Sequence, residues 1–328
     1  MSFSFEPQNP AQPMNVGNVV SAGIHLYTNR FRQYFMVALK ATLWLLLPIV
    51  LLGIFAGIFA VSENKAILGL LIPVGLVSLV YGIGQYLVGS ATIARLAFAE
   101  LNNQPETTKE ATRFTQARLW GFWLVGVLVS LLYVVLTLGC IIILFVLFYA
   151  LFAVAGGLAT SFTQLEAFFS NNVGFILLAI LLTLGLILGV SVLLTWMGAR
   201  FAIVELPLAI EPNTTAVQSI RRSWSLTQGS GWRIVMILLI TFLITVPIYG
   251  VLQVLTTILQ GISGFLMSSD TNANASILGI LLLVVSYIAS LAINVLLLPL
   301  WQAIKAVIYY DLRSRREGMG LALRDREP

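Results

Sequence analysis

The chain has 328 residues, of which 59% are hydrophobic and only 9% charged, with a formal net charge of +5. Soluble domains are about a quarter charged, so this balance excludes an ordinary soluble class. Apolar runs such as 41–61, 119–155 and 277–300 exceed the roughly 20 residues that cross a hydrocarbon core, which makes this a polytopic membrane protein.

Residues 1–14 read as a disordered tail rich in Pro, Gln and Asn, without the basic start and apolar core of a signal peptide. Asn15 can cap a helix whose apolar stripe is Val16, Val20, Ile24, Tyr27, Phe31 and Phe35, while Asn18, His25, Asn29 and Arg32 fall elsewhere. That helix is expected to lie in the cytoplasmic interface and lead into a first span over 35–61, which contains Pro48. The SENK loop at 62–65 returns the chain into a second span over 66–101.

A second unit opens at PETT (105–108), where Thr107 and Glu110 have capping-box spacing. The apolar run that follows, 119–159, is too long for one ordinary span and barely long enough for two. A polar patch at 161–172 precedes a further span ending near 199–208. The third unit begins with EPNTTAVQSIRRSWSLTQGSGWR (211–233), expected as an interfacial helix capped by Asn213. A fifth span from about residue 234 contains Pro247, and a polar loop at 268–276 leads to a sixth span over 277–308.

Internal repetition resolves the ambiguous run. ARLAFAEL (94–101) matches ARFAIVEL (199–206) at five of eight positions, and KAVIYYDL (305–312) keeps the acid-Leu ending. The acids Glu100, Glu205 and Asp311 are therefore spaced by 105 and 106 residues, and PETT is echoed by PNTT at 212–215. The expectation is an all-α domain over 15–312 with repeats at about 15–104, 105–211 and 212–312, followed by a basic cytoplasmic tail over 313–328. Each repeat is an interfacial amphipathic helix plus a two-span hairpin, arranged about a pseudo-threefold. The 119–159 run becomes one long span with an extension, which Gly139 or Gly156-Gly157 could break. Six spans place 17 of the 18 basic residues on one side and leave only Lys65 on the other. A seven-span alternative would send Arg200, Arg221, Arg222 and Arg233 outside. The positive-inside rule selects six, with both termini in the cytoplasm of a cell or inner membrane.

At RRSWSLTQGSGWR (221–233), followed by a long apolar helix and YYDLRSRREG (309–318), the chain resembles the membrane domain attached to some bacterial glycerophosphoryl diester phosphodiesterases. The resemblance is most specific over 205–318 and implies a helical membrane architecture. The catalytic part of those enzymes is a separate soluble barrel using His-Arg, Glu-x-Asp and a further His. Here the single histidine, His25, is followed by Leu26, and the sequence holds no such barrel, so the resemblance implies no enzyme activity.

Arg221, Arg222, Trp224, Trp232 and Arg233 are the leading candidates for contact with lipid or a partner. Arginine offers a fork that matches phosphate, and tryptophan favours the headgroup layer; the same residues also serve anchoring and topology alone. Glu100, Glu205 and Asp311 are expected to be polar ties between repeats, together with Arg95 and Arg200. Those arginines lie five positions before their acids and so do not face them on one helix. Gln85 and Asn294, inside the spans, read as interhelical hydrogen-bonding groups, and Gly82, Gly84, Gly185 and Gly189 as sites of close helix approach. Cys140 reads as a packing residue. With one histidine, no cysteine pair and no clustered carboxylates, neither a metal nor a cofactor is expected. The functional expectation is a non-enzymatic scaffold or accessory subunit of a membrane complex, with anionic-lipid contacts at an Arg/Trp collar and no nucleic-acid partner. The alternatives are a transporter or lipid-handling protein, and a membrane partner of a phosphodiester-lipid enzyme. A cavity lined by Gln85, Asn294 and Glu205 would favour the first alternative.

Overall fold

The computed structural model describes residues 14–61, 66–157, 173–268 and 273–317. The described residues form ten helices and no strand: α1 (Val16–Asn29), α2 (Phe31–Val61), α3 (Ala66–Leu101), α4 (Thr108–Gln116), α5 (Leu119–Gly157), α6 (Val173–Phe201), α7 (Glu205–Ile210), α8 (Ala216–Thr227), α9 (Gly231–Ser268) and α10 (Ala273–Glu317). Six of these, α2, α3, α5, α6, α9 and α10, are long and apolar enough to cross a membrane. They make three hairpins, preceded by the short helices α1, α4 and α8. The chain is an all-α polytopic membrane protein. The tail at 1–13, the loop at 62–65, the polar patch within 158–172 and the residues 269–272 and 318–328 lie outside the described residues.

Local chemistry accounts for where the short helices start. The Asn15 side chain accepts from the Val16 amide, and Thr107 and Glu110 form a reciprocal capping box. In the third unit the cap is Thr215, paired with Gln218, rather than Asn213. Asn213 instead takes a positive φ of 59°, which Asn tolerates better than most residues, and the helix begins three residues after it.

Within the spans the helices persist where the sequence leaves them room to stop. α5 runs unbroken through Gly139 to Gly157, because a gap in the ladder would strand backbone polar groups in hydrocarbon, at a cost far above the roughly 1 kcal/mol of a helical glycine. α10 has 45 residues, about 68 Å at 1.5 Å per residue, against a core of roughly 30 Å. It is therefore longer than the core alone requires, and it carries helix past Leu312 to Glu317.

The buried core sits at the basic end rather than in mid-membrane. Val19, Leu26, Tyr34, Ile93, Ala97, Ile203, Leu206, Leu226, Ile304, Ile308 and Leu312 form one cluster there, joining α1 and α8 to the ends of the spans. Among described residues of α5 nothing beyond Val125 is buried, and on α6 nothing before Met197. Lipid tails are as apolar as leucine, so burial of apolar surface drives packing only where water would otherwise reach it.

The hairpins are not equivalent. α2 and α3 touch closely at Gly89, where a Cβ would stand 2.4 Å from the Ala41 Cβ, and at Gly82, where it would meet the Trp44 carbonyl at 2.6 Å. α3 and α10 are joined by polar side chains, and Ser263 of α9 donates to the Gly279 carbonyl of α10. α5 instead leans on α3, through Trp123 Nε1 donating to the Val80 carbonyl at 2.8 Å, and α6 leans on α9. Gly185 and Gly189 of α6 face open space, with nothing within 4 Å of a Cβ, so neither permits the close packing expected of it.

One proline changes the second unit. The matching segment at 94–101 stays helical through Leu101, but α6 stops at Phe201 and a separate α7 begins at Glu205. Pro207 has no N–H to give the Ile203 carbonyl and its ring would crowd it, so the Val204 and Leu206 amides close shorter turns on Phe201 and Ile203 instead. Glu205 thus begins a short helix of its own, whereas Glu100 and Asp311 lie within continuous ones.

Candidate functional site

At the basic end the three repeated acids have different partners. Glu100 accepts from Arg30 Nε and from the Tyr34 hydroxyl, each at 3.3 Å. Asp311, nearly fully buried, accepts from Arg233 at 2.6 Å, from Arg315 at 3.0 Å and from the Met14 amide at 3.1 Å. Both acids thus bind the start of the preceding span in their own unit. Glu205, the first residue of α7, pairs across units with Lys305 Nζ of α10 at 2.9 Å.

Arg95 forks onto Glu106, with distances of 2.7 and 2.5 Å, and donates to the Ala209 carbonyl at 2.9 Å. Arg118 donates to the Leu208 and Glu211 carbonyls. The two guanidiniums thereby satisfy the orphan carbonyls at the end of α7. They clasp the Phe114 ring from 3.7 and 4.1 Å. Burial, with the Arg95 charge beside it, lowers the Arg118 pKa from its ordinary value.

The five residues proposed for lipid or partner contact do not form one surface. Arg222 pairs with Glu211 at 3.2 Å and with Glu317. Burial works against its charge, but Glu211 and then Glu317 outweigh this and raise its pKa. Arg233 is held by Asp311 and the Met14 carbonyl. Trp224 packs inward against Trp196 and Phe201, while Arg221 and Trp232 remain exposed. Arg200 has no acid partner among the described residues.

The structure gathers a different set of residues in a cavity of about 870 Å³ between α3, α7, α9 and α10. It runs along α10 from Ser290 to Lys305, a rise of about 22 Å. Its basic end is polar: the Glu205–Lys305 pair, Ser90 and Gln302. Asn294 follows at mid-height, where its Oδ1 accepts from the Tyr86 hydroxyl of α3 at 3.2 Å. Leu87, Phe242, Val246, Ile293, Leu297 and Leu298 supply apolar walls. Pro247 and Pro299 lie in the two helices that flank it, and each leaves a backbone carbonyl without its helical donor.

Gln302 is 3% exposed. Its Nε2 donates to Ser90 Oγ at 2.5 Å while its Oε1 has no partner. Ser286 and Ser290 return their hydroxyls to their own helix, so of these three polar residues at steps of four it is Asn294 that reaches across to α3. Gln85 is buried but does not line the cavity.

Sequence reasoning missed Lys305, Gln302, Tyr86 and Ser90 as parts of one site. Their only sequence signal was polarity within or next to an apolar run, which Gln302 and Lys305 show at the end of α10. No group of three or more His, Cys, Asp or Glu placed to hold a metal occurs among the described residues. Compared with known proteins, no family model matches the chain, and no curated protein or solved structure matches it either.

Proposed function

We propose that this is a non-enzymatic lipid-handling protein of a cell or inner membrane, with both termini cytoplasmic, that takes one amphipathic molecule into the α3–α7–α9–α10 cavity. One observation carries the reading: a charged pair and a buried, unpartnered amide oxygen stand at the end of the cavity nearest the headgroup layer, and apolar walls continue into the bilayer. Charges beside hydrocarbon are costly and usually functional. Lys305 and Glu205 together suit a headgroup bearing both a phosphate and an ammonium, the first drawn to Lys305 and the second to Glu205. The free Gln302 Oε1 accepts from that ammonium or from a hydroxyl. Acyl chains then lie against Phe242, Val246 and Leu297.

The test is native mass spectrometry of the full chain from nanodiscs containing phosphatidylethanolamine and phosphatidylcholine. The expected result is one retained lipid per chain, lost in a Glu205→Gln/Lys305→Met double variant, which removes both charges without leaving one unpaired. Retention that is unchanged in the double variant would remove the cavity from consideration.

A second reading, a scaffold for a membrane complex, is favoured by the α5–α6 hairpin. The most apolar stretches of both helices bury nothing within the chain, which leaves their faces for lipid or for the helices of a partner.

A further inference from the structure

Arg200, at the end of α6, is 9% exposed. Its Nε and Nη1 are sealed from solvent and have no hydrogen-bond partner. It lies over two indole rings, Trp196 at 4.7 Å and Trp224 at 5.0 Å, which stand perpendicular to each other with centroids 6.0 Å apart. Indole faces attract a cation, but they accept none of its five N–H groups in the plane of the fork. Nη2 alone is not sealed, and no described side chain accepts from it.

A second positive feature stands beside it. α9 begins at Gly231, and a Cβ built there would be 3.3 Å from Trp196 Nε1 and 3.9 Å from Arg200 Nε. Glycine therefore brings the first turn of a 38-residue helix against the cage. The first backbone bond of α9 is made by Ile234, to Ser230, and among the described residues no side chain accepts from the amides of Gly231, Trp232 or Arg233. A helix start behaves as about half a positive charge. A guanidinium and a helix N-terminus placed together without a carboxylate repel each other, and an anion relieves both.

We propose that Arg200, the Trp196 and Trp224 rings and the first turn of α9 form a binding site for one phosphate group, presented by an anionic phospholipid at the headgroup layer or by free phosphate. Arg200 Nη2 and the α9 amides donate to the phosphate oxygens, and the indoles hold the guanidinium in place, as their preference for the interface suits them to do. Neither Arg200, the two tryptophans nor Gly231 lines the cavity, so this site stands whether or not the cavity binds lipid.

The experiment uses the full chain in phosphatidylcholine nanodiscs. Thermal unfolding and native mass spectrometry are followed as phosphatidylglycerol is introduced and, separately, as inorganic phosphate is titrated. The expected outcome is a rise in midpoint and one tightly held phosphatidylglycerol. Arg200→Lys, which keeps the charge but loses the fork, should weaken this by roughly tenfold, the value of one charge-assisted hydrogen bond. Lys109→Ala, which removes an exposed basic residue on α4, should leave it unchanged. Stabilisation by inorganic phosphate alone would assign the site to a free ion, and stabilisation by phosphatidylglycerol alone to lipid. No response of the wild-type protein to either, or equal loss in Arg200→Lys and Lys109→Ala, would overturn the proposal; the wild-type comparison needs no variant to fold.

Discussion

Arg222 and Arg233 face carboxylates, Arg95 and Arg118 hold carbonyls at a helix end, and Arg200 faces two indoles. One residue type thus does three kinds of work within the same collar. Removing Arg233 takes the shortest partner from the nearly buried Asp311 and leaves it Arg315 and the Met14 amide, so Arg233→Ala should destabilise the collar by about 1.5–3 kcal/mol, the value of a hydrogen bond to a charged group, measured as a drop in thermal midpoint in detergent. Arg313 and Glu317, an exposed pair four residues apart on α10, are worth about 0.3–0.5 kcal/mol by comparison.

The Glu110 carboxylate gives the clearest pH effect. Hydrogen bonds from the Thr107 hydroxyl and amide hold its pKa below the ordinary value. A carboxylate lowered on folding stabilises the fold above its unfolded pKa and loses that contribution as pH falls through the folded value. The difference in thermal midpoint between the wild type and Glu110→Gln should therefore be constant near neutral pH and shrink below about pH 4.

At the scale of helices, contact between spans is set by where side chains are missing. At Gly89 a Cβ has no room beside Ala41, so Gly89→Ala should force α2 from α3 and cost about 1–3 kcal/mol. At Gly185 nothing stands within 4 Å, so Gly185→Ala should be neutral or stabilising by up to about 1 kcal/mol, since it improves helix propensity without a clash. Unfolding of both variants in one detergent separates the outcomes, and equal effects would mean that the α2–α3 contact is not close. The caps obey sequence rules more simply. Thr215→Ala should cost about 1 kcal/mol and fray α8, while an Asn213→Ala change removes no cap.

For the whole molecule, water drives packing at one end and lipid permits looseness at the other. α1, α4, α7 and α8 enclose a core at the basic end that resembles a small soluble domain; away from it α9 and α10 stay paired as far as Ser263 and Gly279, while the described residues of α5 past Val125 bury nothing. The proposed orientation is open to direct measurement. With Cys140 replaced by Ser, a cysteine at the exposed Ser225 should react with an impermeant maleimide only when the cytoplasmic face is opened. Labelling in intact cells would reverse the assignment of both termini.

Six spans, their order and the helix before each hairpin were legible in the sequence because hydrocarbon leaves a chain few options: a run of that length and polarity must form helix. The Thr107 cap was legible for a similar reason, being local chemistry at fixed spacing. The functional grouping was not. Whether Glu205 meets its own unit's arginine or Lys305, 100 residues away, depends on a break at Pro207 and on how α10 lies against α3. Likewise Arg200 looked like one more basic residue of a repeated motif. Only the packing of α6, α8 and α9 decided that two tryptophans and a helix start, rather than an acid, would surround it. Periodicity reports which face of a helix is apolar, but which helices share a face is settled by contacts between residues far apart in the chain.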